Sequence, residues 1–324
     1  MLLAGMLLGA VALYFALRTV SISELKAVVT HVQAQWLLAG FGLFGVLCIV
    51  RGVRWYLLLR QLGSVEFGPA LEGTIVGFAA NWLMPARLGE LFRADYMKRI
   101  AALSRIAVVG AIGIERAMDG FIILMFLVFG VASLASSHRL GTNAGALAVQ
   151  VLGAATLAFV AITIGLIVVR LIGNHLSSKT NPFLQRVHML TRGVRTLNRA
   201  TILPMLALTL LIWTLEVVML WVVLQAFDVS LSVPQLMVLC VCAALSTLIP
   251  TAPGSLGTLQ FVFSQLLLSF GKPPGVGIAA ATAMQAICYL PYALLGVSLF
   301  VARWVSLVGP VNRRRQEDKI CRES

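Results

Sequence analysis

Two apolar stretches of this chain are interrupted at mid-length by proline and glycine, and they repeat one another at a fixed distance. The first runs Pro69-Ala-Leu-Glu-Gly-Thr-Ile-Val-Gly-Phe-Ala-Ala-Asn81-Trp-Leu-Met-Pro85 and continues Ala86-Arg87-Leu88-Gly89-Glu90. The second runs from Pro234 to Ser246-Thr-Leu-Ile-Pro250, then Thr251-Ala-Pro253-Gly254-Ser-Leu256-Gly257-Thr258. Pro69 and Pro234 are 165 residues apart, as are Pro85 and Pro250; Leu88-Gly89 recurs at Leu256-Gly257 with three residues inserted. The pattern Trp55…Leu58…Ser64 recurs 166 residues later as Trp221…Leu224…Ser230. An apolar run broken at its centre frees backbone groups that hydrocarbon cannot satisfy, so the break must lie against protein or a cavity. Paired breaks in the two halves of a membrane chain point to a transporter-like binding site between them.

The rest of the chain places it in lipid. Hydrophobic residues make up 60% and charged residues 11% of 324, and mean hydropathy is +0.95. Soluble domains carry about 25% charged residues. The net charge of +13 comes from basic residues scattered between apolar spans rather than gathered in one stripe. That distribution fits cytoplasmic loops and anionic headgroups and argues against nucleic acid. Of the five cysteines, Cys48, Cys240, Cys242 and Cys288 lie inside apolar runs, and none has metal-ligand spacing with another. The four histidines fall in or beside loops. No metal or other cofactor is expected.

The expected fold is an all-α polytopic membrane protein with about six full spans and two re-entrant broken hairpins. Spans are expected near 1–17, 35–50, 106–134, 144–169, 202–227 and 277–302, with hairpins near 70–97 and 234–270. Met1 to Leu17 lacks a basic leader and reads as a short first helix rather than a cleaved signal. With both termini in the cytoplasm, twenty Lys and Arg fall inside and four outside, Arg116 remaining within a span. This is the bias expected of a multi-pass protein of a bacterial-type plasma membrane. The whole chain then forms one membrane domain of two inverted repeats, roughly 35–134 and 202–303. A basic cytoplasmic loop spans 170–200 and a cytoplasmic tail 304–324. Such repeats are compatible with a homodimer.

Charges inside apolar runs are the candidate site. Arg87, Glu90 and Arg93 are spaced by three after Pro85, so a resumed helix presents them on one face. They read either as an anion-binding cluster or as markers of the hairpin's cytoplasmic end. Asn81 stands one turn before the break, able to satisfy the backbone that Pro85 frees. Glu115, Arg116 and Asp119 share a sector of the span 106–134, and Glu216 stands alone in 202–227. They read equally as a structural ion-pair network and as a headgroup or proton relay. In the second break, Pro250, Thr251, Pro253, Gly254, Gly257 and Thr258 are uncharged; freed amides and a resumed helix N-terminus there would seat an anionic group. Arg51, Arg54 and Trp55, at the edge of the second span, read as an interface anchor.

These motifs together resemble one family. Arg51…Arg54-Trp55, Asn81-x-x-x-Pro85-x-Arg87-x-Gly89-Glu90-x-x-Arg93, Glu115-Arg116-x-x-Asp119 and Pro250-x-x-Pro253-Gly254-x-x-Gly257 look like the lysylphosphatidylglycerol synthase transmembrane-region family, over residues 5 to 305. The resemblance implies a flippase-like membrane region, joined in two-part members to a cytoplasmic aminoacyl-transferase. Stand-alone members are linked with isoprenoid, hopanoid or glycolipid handling. Because the last expected span ends near 302, the membrane half alone is expected here. The partners it implies are lipid headgroups and anionic membrane lipids, together with a separately encoded lipid-modifying enzyme. Other readings are a membrane-embedded enzyme, with Glu90, Glu115 or Asp119 as general acid or base, and a scaffold in cell-envelope biosynthesis.

Overall fold

The computed structural model describes residues 2–18, 20, 28, 30–84, 88–136, 199–248, 251 and 253–308. All of the regular structure among them is helical. In chain order the helices are α1 (Leu2–Arg18), α2 (Ala34–Leu59), α3 (Phe67–Leu83), α4 (Gly89–Ala101), α5 (Arg105–Ser136), α6 (Arg199–Gln225), α7 (Val233–Ser246), α8 (Thr258–Ser269) and α9 (Pro274–Val308). A single 3₁₀ turn, Pro253–Ser255, lies between α7 and α8. The expected spans 35–50, 106–134, 202–227 and 277–302 are α2, α5, α6 and α9, each long and apolar enough to cross a bilayer. The expected span 144–169, the basic loop and the tail fall outside the described residues.

Both interrupted runs form helix–break–helix pairs, α3 with α4 and α7 with α8. Ser232 starts α7, where its backbone N–H donates to the Gln235 side chain at 2.9 Å, and Pro234 occupies the first turn, which needs no donor there. The second break turns through left-handed backbone at Gly254 (φ 70°) and Gly257 (φ 89°), conformations that glycine adopts without steric cost. Gln260 then accepts the Gly257 N–H at 2.9 Å and opens α8.

α2 runs antiparallel to α6. At one end the Gln33 N–H donates to the Ala226 carbonyl at 2.9 Å, and toward the other Arg54 reaches Thr209. α3 packs on α9, on α2 and on its own partner α4, whereas α7 packs on α5. Each broken pair therefore leans on the last long helix of the other half of the chain. Large apolar side chains point outward from the long helices, among them Leu38, Phe41, Met125, Phe129, Leu210, Leu290 and Leu294. Such a surface fits lipid and not water.

Two apolar clusters fill the interior. One gathers Trp55, Leu59, Met97, Ile112, Met118 and Met205; the other gathers Phe44, Phe126, Leu224, Leu239, Phe263 and Tyr292. Along α2, α5 and α6 the clusters are separated by polar side chains: Arg51 and Arg54, then Asp119, then Thr209 and Glu216. That polar layer lies near the middle of α5 and α6, at membrane depth, and every element that reaches it contributes to the candidate site.

Candidate functional site

Arg54 is the centre of the polar layer and is 2% exposed. Its Nη1 donates to Asp119 Oδ1 at 2.6 Å and to Thr209 Oγ1 at 3.1 Å; its Nη2 donates to Glu115 Oε1 at 2.8 Å. Thr209 has turned its own proton back to the Met205 carbonyl at 2.7 Å, which leaves the hydroxyl oxygen free to accept. Arg54 was expected to be an interface anchor together with Arg51 and Trp55. The structure corrects this: α2 continues to Leu59, and all three residues lie within the helix, Trp55 fully buried. Pairing offsets their cost. An unpaired charge at the centre of a span costs about 2.5–3.5 kcal/mol or more.

Glu115 accepts from three arginines. Besides Arg54, Arg93 Nη1 reaches Glu115 Oε2 at 3.0 Å and Arg116 Nη2 reaches Oε1 at 3.2 Å. Arg93 also donates to Thr74 at 3.3 Å and lies 3.6 Å over the Trp55 ring, so both faces of its guanidinium environment are filled by protein. Asp119 accepts from Trp213 Nε1 at 3.2 Å and pairs with Arg116 at 3.3 Å, the i,i+3 contact that the spacing predicts. Glu216 does not stand alone: it pairs with Arg51, which also donates to the Tyr292 hydroxyl at 3.3 Å and lies over Phe78. Glu90 lies 3.3 Å from Arg116 rather than against Arg93. Four arginines and four carboxylates thus meet in one network built by α2, α4, α5 and α6.

A cavity of about 190 Å³ opens beside this network. Arg51, Arg54, Arg116, Asp119 and Glu216 line it on one side, and Phe78, Trp82, Trp213, Tyr289 and Tyr292 supply aromatic walls. Trp82 stacks on Tyr289. Cys240 and Cys288 also line it, placing two of the cysteines beside the Arg51–Glu216 pair. Three buried N–H donors on lining residues have no acceptor: Arg54 Nε, Arg116 Nε and Trp82 Nε1. Donors left open in this way are the groups that an acceptor-rich ligand completes.

The remaining expected residues fall elsewhere. Pro85, Arg87 and Pro250 lie outside the described residues. Asn81 and Gly89 meet at the closure of the first break, where the Asn81 side-chain oxygen is buried without a partner. Arg93 is packed behind the network and does not line the cavity. Thr251, Gly254 and Thr258 gather with Gln260 and Gln285. Thr251 and Thr258 hydroxyls are 3.4 Å apart, Gln285 donates to the Gly254 carbonyl at 3.0 Å, and Gln260 donates to Gln285 at 2.6 Å. These polar groups, with Pro253 and Gly257, are absent from the cavity wall; α8 reaches it through Leu259 and Phe263. Sequence reasoning missed Thr209, Trp213, Tyr289 and Tyr292, polar or aromatic residues in helices that otherwise read as plain apolar spans.

Comparison with known proteins agrees with this architecture. The protein named glycosyltransferase AglD, from Haloferax volcanii, is 25% identical over 346 aligned residues. The alignment covers 96% of this chain and 55% of that protein, so the chain spans about half the length of this relative. The sequence model of the lysylphosphatidylglycerol synthase TM region matches residues 2–296, and this multi-pass membrane chain belongs to that family.

Proposed function

We propose that this protein is a flippase-like transporter that carries the anionic headgroup of a membrane lipid across the bilayer while the tails stay in hydrocarbon. The observation that carries this reading is the cavity between the two halves, where three arginines and three unsatisfied N–H donors face a space of about 190 Å³. Arg51, Arg54 and Arg116 against Asp119 and Glu216 leave the lining one positive charge in excess, which matches a single phosphodiester or phosphomonoester. Guanidinium groups bind such oxygens as planar, multi-donor partners. The aromatic walls accommodate a glycerol or sugar moiety beyond the phosphate, so phospholipid, glycolipid and polyprenyl-linked headgroups all belong to the proposed class.

The two broken pairs support the same reading, because each seats on the last long helix of the other half and α2 lies antiparallel to α6. This is the packing expected of inverted repeats that alternate around a central site. In this proposal the break of the first pair approaches from the cytoplasm, the break of the second from the opposite face, and both termini are cytoplasmic. A role in lipid or cell-envelope biosynthesis follows from the family and from the relative's name. A separately encoded enzyme would supply or consume the lipid.

The test is reconstitution of purified protein in liposomes carrying head-labelled phosphatidylglycerol, aminoacylated phosphatidylglycerol or polyprenyl phosphate in separate batches. Outer-leaflet label is quenched with time. Protein-dependent loss of protection for one lipid, abolished in Arg116→Gln, is the expected result. Absence of movement for all three lipids, with folded protein, overturns the transporter reading. Covalent change of the same lipids by mass spectrometry would instead favour the enzyme suggested by the relative's name.

A further inference from the structure

Arg116 is the one arginine of the network whose side chain is substantially accessible, at 36%, and it is held by three carboxylates. They are not equivalent. Glu115 and Asp119 are 3% and 9% exposed and are fixed by Arg54, Arg93 and Trp213; Glu90 is 26% exposed. Glu90 approaches Arg116 Nε at 3.3 Å, yet that Nε has no hydrogen-bond acceptor. The contact is one of charge without hydrogen-bond geometry. Glu90 also comes from a different element, the first turn of α4, whereas the other two carboxylates share α5 with Arg116.

Resting on the headgroup reading above, we propose that Glu90 is an internal counter-anion. It neutralises Arg116 while the cavity is empty and is displaced by the phosphate of the incoming lipid. A phosphate oxygen can satisfy the open Nε–H that Glu90 leaves unsatisfied, and a charge-assisted bond with good geometry is the stronger competitor. Glu115 and Asp119 cannot be the groups displaced, because moving either would strip Arg54 of a buried partner. A displaced Glu90 has a second resting place at the N-terminus of its own helix, where free backbone N–H groups favour a carboxylate. The base of α4 stays attached throughout by the Arg93–Glu115 bond. Headgroup arrival therefore loosens only the end of α4 next to the first break, coupling occupancy to the part of the hairpin that closes the site.

The competition has a sign that distinguishes it from a structural or ligand-contacting role: removing the Glu90 charge strengthens binding. Detergent-solubilised full-length protein is titrated with dioctanoyl phosphatidylglycerol, with binding read by the fluorescence of the cavity tryptophans. Glu90→Gln is expected to bind about tenfold tighter than wild type and Arg116→Gln at least about tenfold weaker, tenfold corresponding to about 1.4 kcal/mol. Glu66→Gln removes the same charge from the exposed start of α3 and is expected to bind as wild type. Should Arg116→Gln bind as well as wild type, the headgroup reading itself fails. Should Arg116→Gln weaken binding while Glu90→Gln matches or falls below wild type, the counter-anion proposal alone is overturned. Equal tightening in Glu66→Gln would also overturn it, by attributing the gain to net charge. Glu90→Ala, judged by the same titration, repeats the test without the amide.

Discussion

Arg54 holds two helices to a third through its guanidinium, taking Glu115 and Asp119 from α5 and Thr209 from α6. Removing it strands two carboxylates whose remaining partners are Arg93, Arg116 and Trp213. Breaking a buried pair from one side costs about 3–5 kcal/mol. Arg54→Ala is therefore expected to lower the melting temperature in detergent sharply, or to prevent recovery of folded protein. Arg54→Lys, which keeps the charge but loses the fork, is expected to fall between Arg54→Ala and wild type. A melting temperature for Arg54→Ala equal to wild type would deny Arg54 this role. The need for such a residue is legible in the sequence, since Glu115 and Asp119 sit inside a span and require a cation. Its identity is not. Arg51, Arg54 and Trp55 follow an apolar run that ends near residue 50, the pattern of an interfacial belt, and their carboxylate partners are far off in sequence. One sequence signal does point to the inner location: Arg51 lies 165 residues before Glu216, so two charges occupy corresponding places in the repeat.

At the scale of elements, the two breaks were legible because proline and glycine cannot continue a helix without freeing backbone groups. The seating of each pair was not, because the apolar faces of α3 and α7 carry no mark of the helix they will meet. Leu-Gly recurs after both breaks but does different work in each. At Gly257 the backbone is left-handed and a Cβ would strike the Gly9 carbonyl of α1. At Gly89 the backbone is ordinary, but a Cβ would meet the Ala80 carbonyl carbon and the Asn81 side-chain oxygen, each 2.6 Å away, as well as the Asn81 backbone nitrogen. Backbone atoms cannot yield as a flexible side chain can, so Gly89→Ala is expected to push α4 away from the end of α3. Gly113 of α5 has open space where its Cβ would go; Gly113→Ala is expected to leave stability unchanged or raise it by up to about 1 kcal/mol through helix propensity. Thermal unfolding of the two variants side by side checks the pair. Equal stability would mean that the first break is loose enough to absorb a methyl group.

For the whole molecule the offset of 165 locates an axis. Two residues related by a two-fold and in direct contact must lie on or beside that axis, and positions 51 and 216 have both properties. Identical residues at such positions would set like charges against each other; the chain carries Arg on one side and Glu on the other. In a rocking movement of one half against the other, groups on the axis are displaced least. The Arg51–Glu216 pair is thus the inter-half contact best able to persist on both sides of a transport cycle. Exchange of the two charges then has a defined consequence. Arg51→Glu and Glu216→Arg are each expected to abolish lipid movement in liposomes by placing like charges together beside the cavity. The double variant is expected to recover activity, because the pair is rebuilt at the same place in the opposite sense. Recovery will be partial, since Phe78 and Tyr292 contact the residue at position 51 and offer a carboxylate neither a cation–π contact nor the same hydroxyl geometry. A double variant as inactive as either single one would mean that the pair acts through its particular surroundings rather than as the link between halves, and the axis would have to be sought elsewhere along α2 and α6.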